Sequence, residues 1–311
     1  MGLDPPLPAP LVGRLCVIGI GLIGSSILRA AAVRRIAGVL VAADRAPEVC
    51  ARAAELGLAD EVTADLGAAV AGADIVILCV PVGAIGTVAA AIAPHLMPGA
   101  VVSDVGSVKG SVLAAFLAHL PPGVHAIPAH PVAGTEYSGP DAGFATLFHN
   151  RWCILTPPAD ADPAAVERLS AVWRAMGANV EAMGAEHHDR VLAITSHVPH
   201  LIAYNIVGTA ADLETVTQSE VIKFSAGGFR DFTRIAASDP TMWRDIFLHN
   251  REAVIEMLGR FTEDLIALQR AIRWEQGDAL FELFTRTRAI RRSIIEMGQE
   301  TAAPDFGRSH E

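Results

Sequence analysis

Residues 14–31 read RLCVIGIGLIGSSILRAA, and the order of residue types in this stretch decides the fold of the first half of the chain. An apolar run is followed by a glycine loop and then by an apolar helical pattern. This order of elements is typical of a loop that binds a dinucleotide. In such a loop Gly19 makes the tight turn, Gly21 lets a pyrophosphate approach the backbone, and Gly24 allows the helix to pack closely on the strand.

An acidic residue at the end of the next strand supports this interpretation. Asp44 ends the run VLVAAD twenty residues after Gly24, where a carboxylate can bind the ribose hydroxyls of a dinucleotide. Glycines that served only as turn formers would not explain that acidic residue. Asp44 would repel a 2′-phosphate, so NAD is expected, although Arg45 leaves NADP open. The predicted cofactor-binding residues are Gly19, Gly21, Leu22, Ile23, Gly24, Asp44, Arg45, Val80 and Pro81.

Strand and helix patterns alternate through the first half of the chain, which predicts a largely parallel, doubly wound sheet of the Rossmann type. The strand candidates are RLCVIGI, GVLVAAD, DIVILCV, AVVSDVG, GVHAIPA, RWCILTP and NVEAM. One helix between them has clear boundaries, because Asp162 can cap its first turn, Pro163 suits that turn and Gly177 can end it. The flavin alternative normally needs a longer chain with further glycine-rich elements.

After about residue 184 the strand pattern stops and helical periodicity takes over. Asp239 and Pro240 begin one long apolar stripe that continues to Ile272, and Gly277 begins another helix. A stripe of this length needs cover along its whole span, which predicts a homodimer formed through the helical domain. The expected organisation is a dinucleotide-binding domain over 13–184, an all-helical substrate and dimerisation domain over 185–300, and flexible tails at 1–12 and 301–311.

Composition excludes several classes of function. Acidic residues outnumber basic ones, 34 to 24, and without a dense basic run the formal charge of −10 argues against nucleic acid as a partner. The four cysteines are widely spaced, which suggests buried thiols rather than disulfides or a metal site. The first residues lack a signal-peptide pattern, and no uninterrupted apolar run approaches ~18 residues, so a cytoplasmic protein without a membrane partner is expected.

Two polar clusters follow predicted strands, where ligands bind in a doubly wound sheet. One is SDVGSVK, which contains Ser107 and Lys109, and the other is HPVAGTEYSG, residues 130–139. His130 opens the second cluster and could be a metal ligand, a hydrogen-bonded core group or an acid and base near neutral pH. Two later clusters, SHVPH and GGFRDFTRIAASDPTMW, suggest that the helical region contributes to the same site.

The glycine loop, VGSVK, HPVAGTEYSG, SHVPH and GGFRDFTRIAASDPTMWRDIF occur in an order and spacing that resembles the prephenate/arogenate dehydrogenase family of tyrosine biosynthesis. The resemblance spans roughly Gly13 to Arg292, and its last two motifs are the most specific. It implies NAD-dependent oxidative decarboxylation of a cyclohexadienyl substrate: prephenate to 4-hydroxyphenylpyruvate, arogenate to tyrosine, or both. Neither a chorismate mutase domain before this region nor a regulatory domain after it is expected.

The same resemblance assigns roles to individual residues. His130 is the expected base for the substrate hydroxyl, and Ser107 is expected to hydrogen-bond both that hydroxyl and His130. Arg234 is expected to clamp a substrate carboxylate, unless it forms a salt bridge with Asp231 instead. The remaining substrate-binding predictions are His200 and Trp243 lining the pocket, Asp231 orienting His200, and Thr135 and Glu136 beside His130.

Three alternatives stay open at this point. His197, His200 and the EHHD stretch at 186–189 could suggest zinc, but Pro199 should kink their helix, no HExxH spacing is present, and hydride transfer from such an alcohol needs no metal. Another hydroxyacid dehydrogenase or an imine reductase would share this architecture. A non-catalytic NAD-sensing dimer would leave the polar clusters without a purpose.

Overall fold

The computed structural model describes residues 5–135, 137–217 and 226–296. By its internal contacts the chain forms two compact units, residues 1–254 and residues 255–311. The first unit contains both β-sheets and every residue assigned to the site from the sequence. The domain boundary at residue 184 remains a prediction.

The first unit is built on a six-stranded sheet in which every pairing is parallel. Its strand order is β3-β2-β1-β4-β5-β6, the arrangement of a dinucleotide-binding Rossmann sheet. The predicted fold class is therefore confirmed. The strands are β1 (Val12–Ile18), β2 (Ala37–Ala43), β3 (Glu61–Thr63), β4 (Ile75–Leu78), β5 (Val101–Asp104) and β6 (His125–Ala126). The short β3 has too few apolar residues to show in the sequence pattern.

The last three strands form a separate sheet with the order β7-β8-β9. They are β7 (Ala129–Pro131), β8 (Trp152–Leu155) and β9 (Asn179–Ala182), with β7 antiparallel to β8 and β8 parallel to β9. The run GVHAIPA, expected to be one strand, is divided between the sheets. Ile127 still donates its N–H to the Val102 carbonyl, whereas the next N–H on that edge, that of Ala129, donates to the Asp104 side chain and no longer to a strand carbonyl. His130 consequently lies inside β7, opposite Ile154, rather than in a turn.

Helices cover both faces of the sheets and then continue as the helical region. Those of the first part are α1 (Leu22–Arg34), α2 (Pro47–Glu55), α3 (Leu66–Val70), α4 (Ile85–Ile92), α5 (Gly110–His119) and α6 (Pro163–Ala175). As predicted, Asp162 caps α6 by accepting from the Ala164 N–H, and Gly177 follows its end with φ of 91°. Residues 5–11 run beside the sheet, where the Leu7 and Leu11 N–H groups donate to Arg34 and Ile36.

The helical region begins with α7 (Ala185–Leu192) and α8 (Val198–Thr217). Between them, Ala193–His197 form a π-helical turn, so the irregularity expected at Pro199 takes this form just before the proline. By length and composition, the stretch Ala185–Asp212 passes a test for crossing a membrane. Core helices of globular proteins reach the same length and hydropathy.

The single long helix expected from Pro240 to Ile272 is not present. The structure has α9 (Gly227–Thr233), α10 (Pro240–His249), α11 (Arg251–Arg273) and α12 (Gly277–Glu296). The break falls at Asn250, whose side chain is buried and hydrogen-bonded to other elements rather than placed on a continuous helix surface. The apolar periodicity continues across this break, which is why the sequence did not reveal it.

Within the second unit, the rest of α11 and α12 are joined by a short turn. Glu275 adopts a left-handed conformation, φ 51°, and the Gln276 N–H returns to the Ala271 carbonyl, which ends the first helix. Large apolar side chains on these helices are exposed in the single chain, among them Ile272, Phe281 and Phe284.

Candidate active site

The glycine loop has the geometry that a dinucleotide requires. Gly19 has φ of 97°, and a Cβ there would overlap the Cys79 carbonyl. A Cβ on Gly24 would overlap the Gly19 carbonyl oxygen, so both positions require glycine for packing inside the protein. At Gly21, by contrast, no described atom beyond its chain neighbours lies within 4 Å of such a Cβ. Gly21 therefore borders open space in which a pyrophosphate can approach the backbone.

Helix α1 presents an N-terminus suited to an anion. Gly21 is its N-cap residue, and no described side chain hydrogen-bonds there as a cap, so the first N–H groups are available to a phosphate. Asp44 lies at the end of β2 and accepts hydrogen bonds from the N–H groups of Ile20, at 2.9 Å, and Ala46, at 3.0 Å. The same carboxylate that faces the ribose position thus also fixes the loop. These residues fit NAD.

The segment after β7 is fastened to the phosphate-binding helix. Ser26 Oγ accepts from the Phe144 N–H at 3.1 Å, and Arg52 pairs with Asp141 at 2.6 Å. Gly143 lies so close to α1 that a Cβ would overlap Ser25. The segment that follows His130 therefore returns over the first turn of α1, next to the glycine loop.

A buried ion pair lies behind the Ser107 loop. Lys109 Nζ contacts Asp104 and also donates to the Ala129 carbonyl at 2.7 Å, and both side chains are fully buried. Asp104 accepts further from the N–H groups of Gly106 and Ala129. Burial lowers the pKa of Lys109 and raises that of Asp104, while each partner offsets the shift of the other. The pair ties the end of β5 to β7 and so places Ser107, which is half-buried, beside the strand that carries His130.

His130 is 7% exposed and belongs to a chain of hydrogen bonds. Its Nδ1 lies 2.9 Å from His188 Nε2, and His188 Nδ1 lies 2.9 Å from Asp189 Oδ1. Burial, followed by the nearby His188, Lys109 and His197, lowers the pKa of His130 well below its usual value. His130 is therefore neutral at pH 7, which is the state required of a base.

A third buried histidine, His197, lies behind Ser107. Asn250 Nδ2 donates to the Asp189 carbonyl at 2.8 Å, which orients the amide, and it lies 3.1 Å from His197 Nδ1. His197 Nδ1 is therefore an acceptor, and its Nε2 carries the proton. That Nε2 has no partner of ordinary hydrogen-bond geometry among the described residues. Burial lowers the pKa of His197 to about 4, although the Ser107 backbone favours the protonated ring.

Helices α8 and α10 supply an aromatic wall. The rings of His200 and Trp243 stack with centroids 3.7 Å apart, and Trp243 is 5% exposed. His200 Nδ1 donates to the Ser196 carbonyl at 2.8 Å, which leaves Nε2 free to meet a ligand. Burial lowers the pKa of His200, and Arg234 acts in the same direction, so Arg234 lies within electrostatic reach of this ring.

The structure thus places Ser107 on the loop after β5 and His130 on β7, two elements that the Lys109 side chain joins. On the helical side it stacks His200 on Trp243, and Arg234 lies within electrostatic reach of His200. The orientation of His200, predicted to depend on Asp231, is instead set by the Ser196 carbonyl, and Asp231 is exposed. Thr135 is exposed and accepts from the Tyr137 N–H at 3.3 Å. Glu136 lies outside the described residues.

Four polar residues of this network had no assigned role in the sequence: Asp104, His188, Asp189 and Asn250. For Asp104 and Asn250 the sequence signal is a carboxylate or amide within a largely apolar pattern, because burying such a group is costly unless it is paired. Among the described residues, no group of three or more His, Cys, Asp or Glu side chains is arranged to hold a metal ion.

The Rossmann sheet, the glycine loop, the carboxylate at β2 and the buried histidine define an NAD-dependent dehydrogenase. The family model "Prephenate dehydrogenase, nucleotide-binding domain" matches residues 29–182, and "Prephenate dehydrogenase, dimerization domain" matches residues 184–286. The chain belongs to the prephenate dehydrogenase family. The predicted family, the enzyme class and the NAD cofactor are confirmed. Oxidative decarboxylation of prephenate, arogenate or both is the activity of this family.

Individual relatives agree with the family models. A cyclohexadienyl dehydrogenase of Zymomonas mobilis is 44% identical over 281 residues, which cover 90% of this chain and 96% of the relative. The crystal structure of A. aeolicus prephenate dehydrogenase with hydroxyphenyl propionate and NAD+ has a TM-score of 0.85 at 33% identity, covering 91% of this chain and 98% of that one. The arogenate dehydrogenase of Synechocystis has a TM-score of 0.77 at 28% identity, covering 90% and 99%.

Proposed function

We propose that the chain oxidatively decarboxylates prephenate, arogenate or both, with His130 as the base that accepts the proton of the substrate hydroxyl. The observation that carries this proposal is the buried, neutral His130, whose Nδ1 is engaged by His188 and whose Nε2 therefore remains for a ligand. A neutral imidazole can take a hydroxyl proton, which a charged one cannot.

Each side of the site has a task in this reaction. NAD, held by the glycine loop and Asp44, supplies the hydride acceptor. His130 accepts the hydroxyl proton and returns it to the same oxygen once carbon dioxide has left and the ring has become aromatic. Ser107 is proposed to align the hydroxyl with His130, and the Lys109 contacts that tie its loop to β7 support this role.

The helical side of the site binds the rest of the substrate. Arg234 is proposed to hold a carboxylate, because a guanidinium offers a planar pair of donors. His200 and Trp243 form a flat wall against which the ring can lie. Asp231, Thr135 and Glu136 remain proposals for the outer part of the pocket, near the substrate side chain, which is the part that distinguishes prephenate from arogenate.

The working form of the enzyme is proposed to be a cytoplasmic homodimer. The match of residues 184–286 to a dimerisation domain supports it, as do the exposed Phe281 and Phe284 on α12. Four free cysteines fit a reducing compartment. The expected division into domains at residues 13–184 and 185–300 agrees in outline with the two matched ranges and forms part of the proposal.

The direct test is an assay of NADH absorbance with the purified protein, in which prephenate and arogenate are each paired with NAD and with NADP. NADH formation from at least one substrate is expected, and Asp44 predicts slower turnover with NADP. A tryptophan-fluorescence titration with NAD, run in parallel, separates cofactor binding from turnover. Binding of NAD without turnover of either substrate would contradict the proposal and favour an NAD-sensing protein.

A further inference from the structure

The hydrogen-bond chain from His130 through His188 to Asp189 has a direction that follows from chemistry. An ionised carboxylate only accepts hydrogen bonds. Asp189 Oδ1 lies 2.9 Å from His188 Nδ1, so that nitrogen carries the proton. Neutral His188 then has an unprotonated Nε2, which accepts from His130 Nδ1 at 2.9 Å. His130 is left with its proton on Nδ1 and a lone pair on Nε2.

We propose that His188 and Asp189 are positioning residues that hold His130 in the tautomer whose Nε2 receives the substrate hydroxyl proton. This inference deepens the proposed function and rests on His130 being the base. The arrangement works as in a catalytic triad, where a buried carboxylate fixes the tautomer of a histidine and stabilises it once it is protonated. Here a second imidazole lies between the carboxylate and the base.

The carboxylate is itself held in place by the element that carries Ser107. Asp189 Oδ1 accepts from the Lys109 N–H at 2.7 Å, and Oδ2 accepts from the Gly110 N–H at 2.8 Å. Both donors lie at the start of α5, directly after the Ser107 loop. One carboxylate therefore fixes the loop that presents Ser107 and, through His188, the ring plane of His130.

The charges around His130 favour the neutral ring before substrate binds. Lys109 on the α5 side is paired with Asp104 of β5, His188 and Asp189 come from α7, and His197 comes from the π-helical turn. Burial lowers the pKa of His188 as well, and Asp189 acts in the opposite direction. His188 repels a proton on His130 only when its own ring is charged, and burial keeps that ring neutral. A neutral His188 accepts the Nδ1 hydrogen bond more strongly once His130 is protonated, so removing His188 makes His130 a weaker base.

Nitrogen-15 NMR of histidine-labelled protein tests the tautomer independently of activity. The signal of His130 among the eleven histidines is identified by its loss in His130→Asn. The wild type is expected to show His130 with a protonated Nδ1 and a bare Nε2. His188→Gln keeps an acceptor for Nδ1 and should preserve that tautomer, whereas His188→Leu should lose it. Protonation at Nε2 in the wild type would overturn the inference.

Kinetics supply the second readout. His188→Leu should lower kcat at least about tenfold and move the acidic limb of the kcat/KM profile to lower pH, with NAD binding unchanged. His188→Gln should lie between this variant and the wild type. His187→Leu is the matched control, because His187 is the adjacent histidine on α7 but is exposed, and it should behave as the wild type.

The results separate this inference from the function on which it rests. If His130→Asn abolishes turnover but folded His188→Leu and His188→Gln keep the wild-type rate and pH profile, the positioning role is overturned and the proposed base stands. If His130→Asn keeps turnover, the base assignment itself fails. If His188→Leu fails to fold, His188→Gln is used in its place. The tautomer of His130 and the pH profile of kcat/KM in that variant then decide whether His188 positions His130.

Discussion

The imidazole of His200 lies stacked on the indole of Trp243, with ring centroids 3.7 Å apart and planes 24° apart. The two residues come from α8 and α10, so the stack fixes one helix against the other. Trp243 also packs on Val108, beside the Ser107 loop. A single aromatic side chain thus links the His200 stack to the loop that carries Ser107.

Replacement of Trp243 by Leu is expected to raise KM for the substrate about tenfold and to lower the free energy of unfolding by about 2–4 kcal/mol, since it removes the stack and leaves a cavity. Steady-state kinetics and urea denaturation measure the two effects. Trp274→Leu is the control, because Trp274 is 69% exposed, and it should change neither quantity. An unchanged KM in Trp243→Leu would remove Trp243 from the pocket.

Two glycines of the phosphate loop should respond differently to the same substitution. Gly24→Ala places a methyl group against the Gly19 carbonyl and is expected to cost about 2 kcal/mol or more of stability. Gly21→Ala meets open space in the protein, so its melting temperature should stay within a few degrees while KM for NAD rises tenfold or more, as a rough estimate. Equal effects of both changes on NAD binding and stability would contradict the assigned geometry.

Arg234 is expected to bind a substrate carboxylate with both of its terminal nitrogens. Arg234→Lys keeps the charge but not the planar donor pair, and should lower kcat/KM by roughly 10²-fold, mostly through KM. Arg234→Gln should lower it further. Arg251→Gln, an arginine with a side chain 68% exposed, provides the control. If Arg234→Lys keeps the wild-type KM, its role is limited to charge.

Acid should destabilise the fold through its buried histidines. The pKa of His197 is lowered to about 4, mainly by burial, and those of His130, His188 and His200 are lowered too. As pH falls from about 6.5 to about 4, the unfolded chain takes up protons that the folded chain rejects, so stability falls. His197 alone corresponds to about 3 kcal/mol over this window.

Denaturation midpoints measured at steps of half a pH unit would show this dependence. His197→Asn should flatten the curve between pH 6.5 and 4, whereas exposed His187→Asn should keep the wild-type slope. A stability that is constant across this window in the wild type would contradict the assigned neutral, buried state of His197.

Much of the fold follows from local patterns. The glycine loop and the alternating apolar runs indicate the Rossmann sheet because strand period and turn chemistry depend on nearby residues. The division of GVHAIPA between two sheets and the helix break at Asn250 depend on distant partners, namely Val102, Asp189 and His197. Such tertiary contacts leave no periodic signal.

The site residues likewise divide into those that local motifs reveal and those that depend on distant contacts. Ser107, His130 and Arg234 stand in recognisable motifs, and Ser107 follows β5, where ligands bind in such a sheet, whereas His130 lies inside β7. In the sequence, His188 and Asp189 suggest only a possible zinc site, because their spacing on α7 says nothing of the β7 histidine that His188 contacts. Their link to His130 joins residues 58 positions apart in the chain.

The central claim, that His130 is the base, is tested most directly by the rate of NADH formation in His130→Asn. The control is His125→Asn, the same substitution on β6, the strand that precedes β7 in the chain. The account predicts that His130→Asn lowers kcat by about 10²- to 10⁴-fold with NAD binding intact, while His125→Asn retains the wild-type rate. A His130→Asn enzyme whose kcat stays within a few-fold of wild type would contradict it.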